Sequence, residues 1–350
     1  MDQGYAGRET LSGRAAETDC AVRRTSCEKD TTAHGVIPTK GYLFVALAAL
    51  LWAVSGSSAK LLFQHGMTPL QLVQARLTLG LALLIVWFAL KRPDLLKISP
   101  RDIPYFALLG TAGLAMVNFT YLLAISKIQV AAAILLEYLA PLFIALYSLV
   151  FAGERPTRLT TLAMTGAAIG CYFVVGGYNF DLLALNRDGL IAGVCSAVAY
   201  AFYTLQGEYG MRRYKPWTVL FYSVVFAALF WNVAHFAWSG APAPFESLRK
   251  PYSPTEWALI VYIGVFGTMV PFGLYFEGIN LIRATRASIT ATLEPIIAAA
   301  VSYFFLNEIL EAFQMLGGLL VIGSVVLLQA RKEYDDRTPA LIRSRSQEER

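Results

Sequence analysis

Charge is what this chain has least of. Charged residues fill 15% of its 350 positions while hydrophobic residues fill 56%; soluble domains carry about 25% charged residues, so a single water-facing core is excluded. Histidine is nearly absent, with His34, His65 and His235 far apart in the chain. The four cysteines have no metal-ligand spacing: Cys20 and Cys27 lie in a polar segment, and Cys171 and Cys195 lie within apolar runs. They read as inert thiols, and no metal site or cofactor is expected. There is no HExxH, no GxxxxGK[ST] and no GxSxG, which removes the commonest grounds for expecting an enzyme. A net charge of +5 is too small to suggest a nucleic-acid partner. No ring of like charges or repeated filter loop points to a channel.

What the chain has instead is length in apolar stretches. Ten such runs fall at 41–63, 69–90, 104–126, 130–152, 159–178, 188–209, 217–238, 257–280, 286–306 and 312–330. Each is close to the roughly 20 residues that a helix needs to cross a bilayer. Residues 1–40 are polar and aperiodic and read as a disordered cytoplasmic tail. The first apolar run begins too late and runs too long for a cleavable signal. Residues 331–350 read as a second cytoplasmic tail.

Lysine and arginine are distributed unevenly between the two sides that ten crossings define. With the N-terminus inside, the cytoplasmic segments hold 23 of the 29 and the external segments hold four, Lys127, Arg187, Arg249 and Lys250. Only Lys60 and Arg76 fall within predicted spans. An excess of positive charge marks the cytoplasmic side, so both termini are expected there, in the plasma membrane.

The chain also repeats itself. The stretch from Val130 to Pro156 returns at Ala284 to Leu310, with Pro141 and Pro295, and Glu154 and Glu308, each 154 residues apart. At that offset Gly113 matches Gly267, Tyr121 matches Tyr275 and Ile125 matches Ile279. Two halves of five spans each, 41–178 and 188–330, must enter the membrane in opposite senses because five is odd. The expected fold is therefore all-α and membrane-embedded, ten helices in two inverted five-helix repeats around a central cavity.

The two helix ends, Pro141 to Gly153-Glu154 and Glu294-Pro295 to Asn307-Glu308, each precede a glycine-bearing closing helix, with Gly166 and Gly170 in the first and Gly317, Gly318 and Gly323 in the second. With Trp52 and the small polar run after it, this pattern resembles the drug/metabolite transporter superfamily, in particular its EamA-type members. The likeness covers about residues 41–330 and departs from the usual pattern at Glu137 and in an insertion after Glu154. It implies a gradient-driven secondary transporter of small metabolites, working by alternating access. Export of amino acids or related compounds is the expectation. A membrane sensor or assembly protein without transport activity is the alternative. The implied partners are a small-molecule substrate, the bilayer, and a proton or other coupling ion, with the protein a monomer or a homodimer.

Glu137 is the sharpest candidate for chemistry. A charge at mid-helix costs about 2.5–3.5 kcal/mol on insertion scales, so it must face protein or water. Arg76 lies at similar depth, and the two either pair to fix helix packing or contact a charged substrate group, with Glu137 also able to carry a proton. Further candidates on span faces are Trp52, Ser55, Asn118, Tyr121, Tyr203, Gln206, Tyr275 and Thr292, for all of which helix–helix packing is the ordinary reading. Pro141, Pro271 and Pro295 each remove a backbone donor and predict kinks. Glu294 reads as an interfacial residue paired with Arg283 or Arg286, Lys60 as a residue that snorkels, and Glu308 as a cap with no cation near it in sequence.

Overall fold

The computed structural model describes residues 38–151, 158–174, 176–179, 186–211, 213–239, 252–282, 287 and 290–335. The described segments are helical, and they follow the ten apolar runs in order. They are α1 Pro38–Gln64, α2 Pro69–Lys91, α3 Pro100–Lys127, α4 in two pieces (Val130–Glu137 and Ala140–Phe151), and α5 Arg158–Val174. The second half supplies α6 Arg187–Met211, α7 Pro216–Ser239, α8 from Pro254 to Ile282, α9 Leu293–Leu306 and α10 Ala312–Asp335. Six of these stretches are long and apolar enough to cross a membrane, and α4, α5, α9 and α10 supply shorter apolar helices. Helix is the form this composition must take, because hydrocarbon offers no partner to a free backbone N–H or C=O.

Caps and breaks set where the helices begin and end. Thr68 caps α2 in a reciprocal box with Gln71, with Pro69 at the first helical position. Ser253 caps α8 in the same way with Glu256. α9 ends at Asn307, whose φ of 54° places it in the left-handed region that asparagine tolerates. The Glu308 N–H then bonds back to the Ser302 carbonyl at 3.2 Å, closing the helix end. Gly153, the residue at the matching position of the first half, lies outside the described residues with Glu154 and Arg155.

The predicted kink in the fourth run is a full break. Tyr138 and Leu139 form a turn between two half-helices, and Pro141 sits in the first turn of the second one, where its missing N–H costs nothing. The ninth run breaks at the equivalent place: Thr292 is a turn residue and Pro295 lies in the first turn of α9. Two further interruptions match across the halves. α3 passes through a π-helical segment at Leu109–Ala115 and α8 through one at Val265–Met269. Shifting the second back by 154 places it on 111–115.

The packing is exchanged between halves in the same two-fold manner. α1 lies against α8 and α9, and its counterpart α6 lies against α3 and α4. α2 meets α7 and α8, while α7 meets α2 and α3. α4 crosses α9, and α5 lies along α10. Each helix of the first half therefore finds its main partner in the second. The largest core cluster reflects this, joining Leu72, Leu77, Leu84 and Phe88 of α2 to Leu220, Phe221 and Val224 of α7.

One end of the bundle is tied across the halves. Lys60 Nζ donates to the Ile125 and Ile128 carbonyls, at 2.8 Å each, and lies 3.7 Å from Glu308. The other Glu308 oxygen accepts the Val130 N–H at 2.9 Å, capping the first half-helix of α4. So Lys60 does not snorkel, and Glu308 does have a cation beside it. The partner is 248 positions away in the chain and close only in the fold. Ser57 and Ser302 hydroxyls meet at 3.3 Å one turn deeper.

The α5–α10 contact depends on glycine. A Cβ on Gly170 would stand 2.7 Å from the Gly317 carbonyl, and one on Gly317 would stand 2.6 Å from the Gly170 carbonyl. Neither neighbour can yield, since both are backbone. Gly317→Val is expected to force the two helices apart at a cost of about 1–3 kcal/mol, lowering the unfolding midpoint of the detergent-purified protein. Gly323→Ala, where nothing lies within 4 Å, should leave that midpoint unchanged; equal losses in both would show that the close approach is not what holds α5 on α10.

Candidate functional site

The four interruptions of the helices surround one cavity of about 160 Å³. Its walls come from α1, α2, α3, α4, α6, α8 and α9, so both halves contribute. Three of its lining residues are ordinarily charged, namely Arg76 on α2, Glu137 at the end of the first half-helix of α4, and Glu294 in the first turn of α9.

Arg76 reaches α8 rather than a carboxylate. Its Nε donates to Thr268 Oγ1 at 2.8 Å and its Nη2 to the Gly267 carbonyl at 2.9 Å. The π-helical segment makes this possible, since widening a turn leaves a carbonyl without its usual helical partner. Thr268 Oγ1 in turn donates to the Ile263 carbonyl at 3.2 Å. The matching segment of α3 is served the same way: Asn118 Nδ2 donates to the Leu114 carbonyl at 2.9 Å and Trp231 Nε1 to that of Ala115 at 3.2 Å.

Glu137 Oε2 accepts a hydrogen bond from Ser196 Oγ on α6 at 2.8 Å. No direct ion pair joins it to Arg76; each is held by a different helix, and the two share the cavity instead. Sequence depth alone placed them level but could not show that the π-helical segment of α8 offers Arg76 a closer acceptor.

Glu294 is the main departure from expectation. Arg283 and Arg286, its expected partners, lie outside the described residues. Because α9 begins only at Leu293, Glu294 falls at the start of a half-helix inside the protein and lines the cavity. A carboxylate is favoured there by the helix dipole. Tyr138 OH lies 3.3 Å from Glu294 Oε2 and donates its single proton at shorter range, 2.6 Å, to the Ala291 carbonyl. Tyr138 and Ala291 thus join the two broken helices where they cross.

The remaining wall is aromatic. Trp52 stands edge-on to Phe272 with ring centres 5.3 Å apart and lies 5.5 Å from Tyr275. Tyr121, Tyr200 and Tyr203 complete the phenolic lining. Ser55 and Asn118 are also on the wall, as is Pro141. Glycines let the helices close around it: Gly113 packs on Tyr203, and Gly267 packs on Ser55.

Of the residues singled out from sequence, Trp52, Ser55, Arg76, Asn118, Tyr121, Glu137, Pro141, Tyr203 and Tyr275 are brought together here. Gln206 and Thr292 are not on the wall. The Gln206 carbonyl accepts a bond from Tyr105, and Thr292 is buried at the break before α9. Pro271 and Pro295 act on the backbone beside the cavity rather than on its surface. Glu294, read from the sequence as interfacial, lines the cavity instead, and so do Tyr138, Tyr200 and Phe272, which were not among the site candidates. For Glu294 the available signal was the Glu-Pro pair itself, since proline at the start of a helix marks the carboxylate before it as a first-turn residue.

Comparison with known proteins agrees with this architecture. The model of the EamA-like transporter family matches residues 39–176 and again residues 187–329. An uncharacterized inner membrane transporter of Salmonella typhimurium, YicL, is 29% identical over 296 residues, covering 83% of this chain and 95% of that protein. The pseudopaline exporter CntI of Pseudomonas aeruginosa is 22% identical, covering 84% and 97%. The threonine/homoserine exporter RhtA of Escherichia coli is 24% identical, covering 83% and 92%. With two matched copies spanning most of its length, the chain belongs to the EamA-like transporter family and is a multi-pass membrane transporter rather than an enzyme.

Proposed function

We propose that the protein is a secondary active exporter of amino acids or related small metabolites in the plasma membrane. It works by alternating access between two inverted halves, residues 41–178 and 188–330. The observation that carries this reading is the cavity itself. It is lined from both halves, it lies where four spans are interrupted, and it holds one guanidinium and two carboxylates that are not paired with one another. Charges are kept inside a membrane protein at a cost, and they ordinarily mark the path of a charged substrate or a proton. The names of CntI and RhtA support the direction of transport and the substrate class.

The chemistry follows from the geometry. Arg76 keeps N–H groups beyond those given to Thr268 and Gly267, and a substrate carboxylate is their natural acceptor. Glu137 stands at the C-terminal end of a half-helix, the negative end of its dipole, and so favours a cationic group or a proton. Trp52, Phe272 and Tyr275 give an apolar surface for a side chain. In this reading the tie made by Lys60, Glu308 and Ser57–Ser302 holds the two halves together at one end of the bundle and is released when the halves rock the other way.

Reconstituted into liposomes, the protein should exchange labelled amino acids in counterflow, and a pH gradient across the same liposomes would identify the proton as the coupling ion. Arg76→Ala and Glu137→Gln should each lower that flux by at least about tenfold, the loss expected when one buried charge partner is removed. Full flux in Glu137→Gln at normal expression would remove Glu137 from the mechanism. No flux for any amino acid would favour a sensor.

The charge distribution also predicts orientation. In intact cells a membrane-impermeant maleimide should leave Cys20 and Cys27 unmodified, and permeabilisation should expose both. Labelling before permeabilisation would invert the topology.

A further inference from the structure

The charges in the cavity do not cancel. With both carboxylates ionised, Glu137 and Glu294 outweigh Arg76 by one negative charge, and the other lining residues are neutral aromatic, apolar and hydroxyl or amide side chains. Besides Arg76, the titratable neighbours that face the two carboxylates among the described residues are the phenols of Tyr121, Tyr138, Tyr200, Tyr203 and Tyr275. None of these brings a positive charge. An uncompensated charge in a low-dielectric site is costly, so the best occupant is one that restores neutrality.

The hydrogen bonds show how much of each group is left for an occupant. Glu137 uses one oxygen, on Ser196. Among the described residues Glu294 has only Tyr138, whose proton is already better engaged by the Ala291 carbonyl. Arg76 uses Nε and Nη2. Among the described residues the one sealed polar side-chain atom without a partner is the Tyr252 hydroxyl. The second oxygens of Glu137 and Glu294, and Nη1 of Arg76, are therefore not sealed off and remain reachable.

The three charged groups also lie on different elements. Glu137 ends a half-helix of α4, Glu294 starts α9, and Arg76 is anchored on the π-helical segment of α8. An occupant that satisfies all three needs one anionic group and two separate cationic ones. Its connecting chain would lie along the Trp52–Phe272–Tyr275 wall, which suits methylene groups and whose ring faces attract a cation. Resting on the carrier reading above, we propose that the substrate is a diamino monocarboxylate of the lysine or ornithine type. Its carboxylate binds Arg76, and its two ammonium groups are divided between Glu137 and Glu294. A neutral amino acid leaves one carboxylate without a counter-charge, a diamine lacking the carboxylate leaves Arg76 without one, and an acidic amino acid adds to the excess.

The test uses full-length protein in liposomes, with labelled lysine, ornithine, threonine, glutamate and cadaverine in counterflow. Binding of the same compounds to detergent-purified protein is followed by thermal shift. Lysine and ornithine should be exchanged at least tenfold faster than the other three. Glu294→Gln should lose that preference, its lysine flux falling tenfold or more relative to its threonine flux, and Glu294→Asp should retain it. Threonine carried as fast as lysine, with no change of preference in Glu294→Gln, overturns the proposal and leaves the carrier reading standing. Cadaverine carried as fast as lysine also overturns it. Lysine binding selectively with no flux of any compound supports the site and overturns the carrier reading. Neither binding nor flux of any compound overturns both.

Discussion

The bilayer supplies no hydrogen bonds, and this protein interrupts four of its helices inside it. α4 breaks at Tyr138-Leu139, α9 starts only after Thr292, and α3 and α8 each widen into a π-helical segment. Every interruption frees backbone groups that a lipid-facing surface could not satisfy, so all four must face protein or a polar cavity. They do so together. Arg76 takes the Gly267 carbonyl, Asn118 that of Leu114, Trp231 that of Ala115, and Tyr138 that of Ala291. Part of the polar lining of the cavity thus also repairs the broken helices, and removing Arg76, Asn118 or Tyr138 leaves a backbone carbonyl unpaired as well.

The duplication accounts for where the interruptions fall. Because the halves exchange helices, with α1 against α8 and α6 against α3, neither can close around a core of its own. The glycines at matching positions, Gly113 and Gly267, each let a helix of the other half approach. The contact along α5 and α10 relies on backbone meeting backbone at Gly170 and Gly317, which fixes that pair as a rigid seam. The Lys60–Glu308 tie, by contrast, is a few polar bonds at the rim. If the halves rock as proposed, the polar tie is the contact to break and the glycine seam the one to keep.

Helix number, order and type were readable from apolar length, and the duplication from Pro141 and Pro295 standing at one offset with Glu154 and Glu308. Most of the cavity wall was readable too, because Trp52, Arg76, Asn118, Tyr121 and Glu137 are polar or amphipathic residues inside apolar runs. What escaped were consequences of the interruptions. Depth along a helix was counted at a constant rise, and that count fails at a break. Glu294 was placed near the interface by counting from the start of the ninth apolar run, whereas α9 begins at Leu293. The π-helical segment of α8 likewise gave Arg76 a carbonyl that regular helical bonding would have consumed. Lys60 with Glu308 escaped for a simpler reason. Nothing in a single sequence pairs positions so far apart: Glu154 corresponds to Glu308, but at the same offset Lys60 falls on Tyr214.

The two cavity carboxylates illustrate how a symmetric frame is made to act asymmetrically. The breaks in α4 and α9 are equivalent, yet Glu137 precedes its break and Glu294 follows the corresponding one. Glu137 therefore meets the negative end of a helix dipole and Glu294 the positive end. The dipole alone opposes the charge of the first carboxylate and complements that of the second. Ser196 partly offsets this for Glu137, whereas Glu294 has only a shared phenol. If the halves exchange their exposure as proposed, a nearly symmetric backbone would carry two carboxylates that are not symmetric, and the cargo would be held differently on the two sides of the membrane.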